Sequence, residues 1–210
     1  PQYIMAAYDI LSREGPEALS IRRVARALDC NTANLYRYFE GKEELMLYAS
    51  LGYLGDYLLD VQQVLQTCRD CVERHLKVWR CFAEHSFRRA AVFNNLFFGA
   101  YSSRLEQILP EYYRLFPEQC AGLDGLEQVF LQGNFDYRDY MMLDTCVREG
   151  CIAAADAPRI NQVCINMYKG CLKKVVDLGL TGQEAQAEAD KFTGLLDFLF
   201  SRFLTASVKE

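Results

Sequence analysis

A chain of 210 residues, 51% apolar and 24% charged, has material for one large domain, or for a small domain joined to a larger one. Its formal net charge of −5 excludes a protein that is basic all over, and no apolar run approaches the roughly 18 uncharged residues that a membrane helix needs. Nine cysteines at irregular spacing, mostly on apolar positions of helical patterns, fit a reducing cytoplasm better than a disulfide scaffold.

The pattern predicts helix nearly throughout. The start carries no basic-then-apolar leader, and because it opens on Pro1, a few native residues are expected to precede it. A first helix over about 2–14 places Tyr3, Ile4, Ala7, Tyr8 and Leu11 at helical spacing, and Gly15-Pro16 ends it. Ser20 caps a second helix, with Ile21, Val24, Ala25 and Leu28 inward and Arg22, Arg23 and Arg26 outward. After a tight turn at Asp29-Cys30, Asn31 caps a third helix over about 32–38, and Gly41 breaks it. A fourth helix starts near 42 and runs into the fifties or sixties. Further helices are expected near 62–84, 86–99, 103–116, 124–149, 158–179 and 183–206, with loops at 116–125 and 148–158. The expected class is all-α, with domains over 1–47 and 48–210.

The second and third helices, joined by a turn of about three residues, form a helix-turn-helix arrangement. In such a unit the second helix enters the major groove and its first residues meet base edges. The stretch NTANLYRYF (31–39) suits that task. Ala33 lets the backbone approach, Thr32 and Asn34 offer hydrogen bonds to bases, and Leu35 and Phe39 face inward. That leaves Tyr36 and Tyr38 outside, where with Arg37 and Lys42 they are placed to hold phosphates. Charge agrees. Between Ser20 and Lys42 there are five bases and two acids, whereas residues 48–210 carry 17 bases and 21 acids. A basic island on an acidic body meets phosphates with one end only.

The segment LSIRRVARALDCNTANLYRYFEGKEEL (19–45) resembles the DNA-binding region of the TetR/AcrR family of bacterial transcriptional regulators, through Ser20, Val24-Ala25, Leu35-Tyr36, Tyr38-Phe39, Gly41-Lys42 and Leu45. The resemblance implies that Ser20 sits near a phosphate, Arg22 reaches a base, Thr32 and Asn34 read bases, and Tyr36, Tyr38 and Lys42 contact phosphates. Asp29 and Cys30 stand where the family usually has Gly then Val. An aspartate tolerates the left-handed backbone of such a turn but adds negative charge near DNA. The remainder resembles the family only in outline: all-helical, with REG and a short loop before two final long helices.

The last two helices carry broad apolar stripes, and Gly170 and Gly194 permit close helix approach. Doubled across a two-fold axis, two such helices make a four-helix bundle, which in the resembled family is the dimer interface. Val163, Met167, Cys171, Val175, Phe192, Leu196, Leu199 and Phe203 are the expected interface residues. The aromatic middle of the chain is expected to hold a small-molecule effector pocket lined by His75, Trp79, Phe82, Tyr101, Asn134, Tyr137 and Met141.

Cys68, Cys71 and His75 recur at i, i+3 and i+7, a possible metal triad, but small apolar packing explains cysteines on a buried helix face better. The expectation is therefore no metal and no cofactor. Redox sensing through Cys164 and Cys171 is weaker still. No nucleophile–base pair, glycine-rich phosphate loop or paired acids point to an enzyme. The expected protein is a homodimeric regulator, most often a repressor in such families, that binds a palindromic DNA operator and answers to a small-molecule effector. Its rivals are an effector-less architectural DNA-binding protein, a helical protein-interaction module, and a thiol or metal sensor.

Overall fold

A computed structural model describes residues 1–99, 102–119, 127–130 and 132–205, which form helices joined by short turns. Among these residues the sole β pairing is an isolated bridge between Ile152 and Leu204. No helix there is long and apolar enough to cross a membrane.

The N-terminal bundle is built from α1 (Gln2–Glu14), α2 (Ile21–Ala27), α3 (Thr32–Tyr36) and α4 (Lys42–Ser50). Ile4, Ala7, Leu11, Val24, Ala25, Leu35 and Leu45 fill its core. The helix expected from near 42 into the fifties or sixties is two elements: α4 ends at Ser50, and α5 (Gly52–Leu65) follows after Leu51. A side chain at Gly52 would collide with the ring of Tyr8 from α1, so the glycine lets α1 press into the joint.

The body follows, with α6 (Cys71–Arg88), α7 (Ala90–Phe98), α8 (Leu105–Leu115), α9 (Glu127–Phe130), α10 (Phe135–Arg148), α11 (Ala157–Leu178) and α12 (Gly182–Phe203). Two expected helices prove shorter, for local reasons the sequence carries. Asp70 caps α6 by accepting the Glu73 amide at 2.7 Å, and the Glu73 carboxylate reaches back to the Arg69 amide at 2.9 Å. This reciprocal capping starts the helix at Cys71 instead of near 62 and leaves Cys68 in the preceding turn. Likewise the Asn134 side chain accepts the Tyr137 amide at 3.0 Å, so α10 starts at Phe135 and the helix expected over 124–149 is divided.

Helix α6 is the axis of the body and packs on α5, α7, α10, α11 and α12. Around it Trp79 meets the rings of Phe82, Phe135, Tyr168 and Phe192 at centroid separations of 5.3–6.1 Å. Edge and tilted contacts of this kind add to the area buried.

Candidate nucleic-acid interface and effector cavity

The helix-turn-helix is held by three local devices. Ser20 Oγ accepts the Arg23 amide at 3.2 Å and so starts α2. Asp29 takes a positive φ of 47° in the turn, the conformation a glycine would supply. Asn31 Oδ1 accepts the Ala33 amide at 2.9 Å and starts α3. Helix α3 is shorter than expected, ending at Tyr36, so Arg37 and Tyr38 lie in the turn that follows it.

Leu35 and Phe39 point into the core, which fixes what remains outside. Ala33, Asn34, Tyr36, Arg37 and Tyr38 are exposed, and Thr32 is half-buried. The two tyrosines are 60% and 66% exposed. Tyr38 also leans on the ring of Tyr3, 5.8 Å between centroids, which restricts its swing. The bases differ in freedom. Arg23 is bound by Glu14 at 2.6 Å. Arg22, Arg26, Arg37 and Lys42 have no ion-pair partner among the described residues. Lys42 opens α4, whose N-cap Gly41 offers no side chain to the first-turn amides, leaving that end receptive to an anion.

The bundle is wired to the body by a contact that spacing did not suggest. Glu44, on α4, is only 6% exposed. Its carboxylate accepts the Glu40 amide and an Arg104 N–H, each at 2.6 Å. Arg104 also lies 3.6 Å from the Glu40 carboxylate. It closes the single 3-10 turn Ser102–Arg104 before α8.

Inside the body lies a narrow cavity of about 30 Å³, room for a water or two, walled by α5, α6, α9 and α10. Of the expected pocket residues, His75, Trp79 and Phe82 line it, together with Tyr57, Phe130, Phe135, Arg138, Asp139 and Met142. Asn134, Tyr137 and Met141 do not. Asn134 caps α10, Asn134 and Tyr137 flank an outer groove, and the Met142 neighbour takes the inward place. Because α10 starts at Phe135, its inward face is 135, 138, 139 and 142, about 100° round from the face expected. Tyr101 lies outside the described residues.

The polar groups at this cavity are under-satisfied. Trp79 Nε1–H donates to Asp139 Oδ1 at 2.7 Å. Asp139 Oδ2 and both ring nitrogens of the buried His75 lack hydrogen-bond partners, although His75 Nε2 lies 3.4 Å from Asp139 Oδ1. Burial pushes Asp139 up to about 7 and holds His75 down at about 3. Arg138 is nearly buried, its guanidinium 5.0–5.3 Å from the ring centres of Phe82, Phe97 and Phe135. Orphaned buried polar atoms are rare and call for a water, an ion or a ligand.

The expected dimer stripes are divided by the fold. Val175, Phe192 and Leu196 are buried in the chain's own core and present nothing to a partner. Two long helices against α6 need their apolar sides for packing within the chain. Met167, Cys171, Leu199 and Phe203 are half-buried, and Val163 is 39% exposed. Outward instead stand Leu178, Leu195 and Phe198, the last 59% exposed. Gly170 and Gly194 have open space where a side chain would be, so they allow no closer packing within the chain.

A capped helix-turn-helix beneath a larger all-helical body is the architecture of a DNA-binding regulator. Residues 4–49 match the family model of bacterial regulatory proteins, tetR family. Segment 4–49 is similar to that family's DNA-binding domain, and the likeness of the rest of the chain is one of fold. Solved structures agree in fold. A TetR-family transcriptional regulator from Pectobacterium atrosepticum superposes with a TM-score of 0.62 at 14% identity, covering 97% of this chain and 92% of that one. A TetR transcription regulator from Haloarcula marismortui gives 0.57 at 17% identity, covering 97% of each chain. A putative TetR-family regulator from Syntrophomonas wolfei gives 0.58 at 15%, covering 95% and 93%. No curated protein matches the sequence.

Proposed function

We propose that this chain is a homodimeric transcriptional repressor that binds a palindromic DNA operator and releases it when a small molecule occupies the body. The observation that carries this reading is the exposed face of α3. Its apolar residues are consumed inward, and two tyrosines and an arginine are left in water beside unpaired bases. Thr32 and Asn34 read base edges. Tyr36, Tyr38, Arg37 and Lys42 hold the flanking phosphates, Ser20 approaches one, and Arg22 reaches a base. A single α3 covers too little DNA to be specific, so two must act about 34–36 Å apart. The outward apolar residues of α11 and α12, with the open space over Gly170 and Gly194, support a two-fold bundle as the means of spacing them.

Release works by population shift: an effector that binds one spacing better than the other biases the pair. The aromatic lining with His75, Arg138 and Asp139 at one end supports this as the effector's place, and the cavity, now room for a water or two, must widen to admit it. The link from Arg104 to Glu44 and Glu40 gives the body a hold on the DNA-binding bundle.

The test is selection of duplexes from a random pool by the purified chain. The expected winners carry an inverted repeat and are lost steeply as salt rises. A pool that stays random, or a single unrepeated half-site, overturns the reading.

A further inference from the structure

We propose that Cys71 and Cys151, with the carboxylate of Glu149, form a binding site for a thiophilic divalent cation of the zinc class, distinct from the DNA interface and the effector cavity, with water as the fourth ligand. The two sulfurs come from separate parts of the fold. Cys71 is the first residue of α6, placed there by the Asp70 cap. Cys146 lies in the last turn of α10. Cys151 follows Gly150, whose φ of 74° reverses the chain, so that the Cys151 amide donates back to the Cys146 carbonyl at 2.8 Å. That turn carries Cys151 over the end of its own helix and against α6.

The result is a thiol pair. Cys71 Sγ stands 3.4 Å from Cys151 Sγ, and Cys146 is buried one turn before the Gly150 reversal. A Glu149 carboxylate oxygen and the sulfurs of Cys71 and Cys151 all lie within 4.8 Å of one another. Two zinc-bound thiolates with bonds of about 2.3 Å in tetrahedral geometry stand roughly 3.8 Å apart, so an ion fits with a shift of a few tenths of an ångström.

Packing alone accounts for Cys71 and Cys146, which are buried. It does not account for the partly exposed Cys151 with an acidic neighbour on a turn that aims both at the same point. Cys68 and His75, which sequence spacing grouped with Cys71, are elsewhere: Cys68 Sγ bonds the Val64 carbonyl, and His75 faces the effector cavity. Binding releases the two thiol protons, leaving two thiolates, one carboxylate and one divalent cation.

The site sits at a structural knot. The Thr205 amide donates to the Cys151 carbonyl at 3.0 Å, Thr205 Oγ1 to the Gly150 carbonyl at 2.9 Å, and Ile152 pairs with Leu204. An ion there joins the start of α6 and the end of α10 to the segment that leaves α12. Bound cation therefore stiffens the base of the helix pair assigned above to dimerisation, while the site itself does not depend on that assignment.

The experiment titrates the reduced full chain with cobalt(II), then displaces it with zinc. One cobalt per chain with an intense sulfur-to-cobalt charge-transfer band is expected. Cys151→Ser, at a half-buried position that tolerates the change, is expected to lower zinc affinity at least about tenfold and remove about half of that band. Zinc should raise the Tm of the wild type and not of Cys151→Ser. Cys171→Ser, on α11, should leave all three readouts unchanged. A reduced protein that takes up no cobalt overturns the proposal, even if mild oxidation joins Cys71 to Cys151. So does a band of full intensity in Cys151→Ser, which would place the ion elsewhere, for example at His75, Asp139 and Cys164, whose donor atoms also lie within 4.8 Å of one another.

Discussion

Helix α3 and the α11–α12 pair both carry large apolar residues, yet they are legible to different degrees. In α3 and the turn after it there is room for one inward face. Once Leu35 and Phe39 fill it, Tyr36 and Tyr38 have nowhere to go but outside. The long C-terminal helices carry apolar residues around more than one side, and their 3.6-residue period fits an inward or an outward stripe equally well. The stripe of Phe192, Leu196 and Val175 went inward, and Leu195 and Phe198 were left out. Period tells that a helix buries a face. It does not tell which of two apolar faces the chain keeps for itself.

The largest expected effects test that division directly. Phe198→Glu, alone or with Leu195→Glu, should leave the fold intact and turn the dimer into monomers in sedimentation. Operator affinity should fall by roughly a hundredfold, because the second half-site then binds without the benefit of linkage. Phe192→Ala, six residues away and fully buried, should instead cost about 3–5 kcal/mol of stability, read by denaturant unfolding. If Phe198→Glu unfolds the chain, or leaves the dimer whole, the assignment of faces is wrong.

A smaller effect separates roles within the DNA-binding face. Lys42→Ala should weaken operator and random DNA alike by about tenfold and flatten the slope of log K against log salt by about one. Tyr36→Ala should weaken both with little change of slope, since a tyrosine neutralises no phosphate. Asn34→Ala should leave random DNA untouched and relax preference at one base position, by about 1–3 kcal/mol. A base preference identical to wild type in Asn34→Ala would remove that residue from the reading set.

The helix-turn-helix is readable because it is specified by neighbours in sequence: a Ser20 cap, an Asp29 turn, an Asn31 cap, all within 12 residues. The lining of the inner cavity is half readable. His75, Trp79 and Phe82 share one face of one helix, but Asn134, Tyr137 and Met141 lie on α10 one position out of phase with the residues that line it. Asn134 read as a cap would have set the phase. Similarly, DCVE at 70–73 reads as a capping sequence and would have removed Cys68 from the helix. The Arg104–Glu44 pair and the meeting of Cys71 with Cys151 left no local trace, because they join residues 60 and 80 apart.

The smallest expected effect concerns the buried acid of the cavity and depends on pH. Asp139 has its ordinary value of 3.8 raised to about 7 by burial, so the folded chain holds a proton that the unfolded chain releases. The associated stability is fully present below about pH 4, drains away as pH rises towards 7, and is gone above it. Asp139→Asn keeps an oxygen for the Trp79 indole and cannot ionise. Its Tm relative to wild type should therefore rise between pH 4 and pH 7 and stay level above. His75 acts in the opposite sense. Held neutral down to about 3, it contributes stability above its ordinary 6.5 that is lost as pH falls through the acid range. It is present in both proteins, so it bends each Tm curve and cancels in their difference. A difference flat from pH 4 to pH 8 would mean that Asp139 is already ionised and paired in the folded chain, and that the polar end of the cavity is satisfied without a ligand.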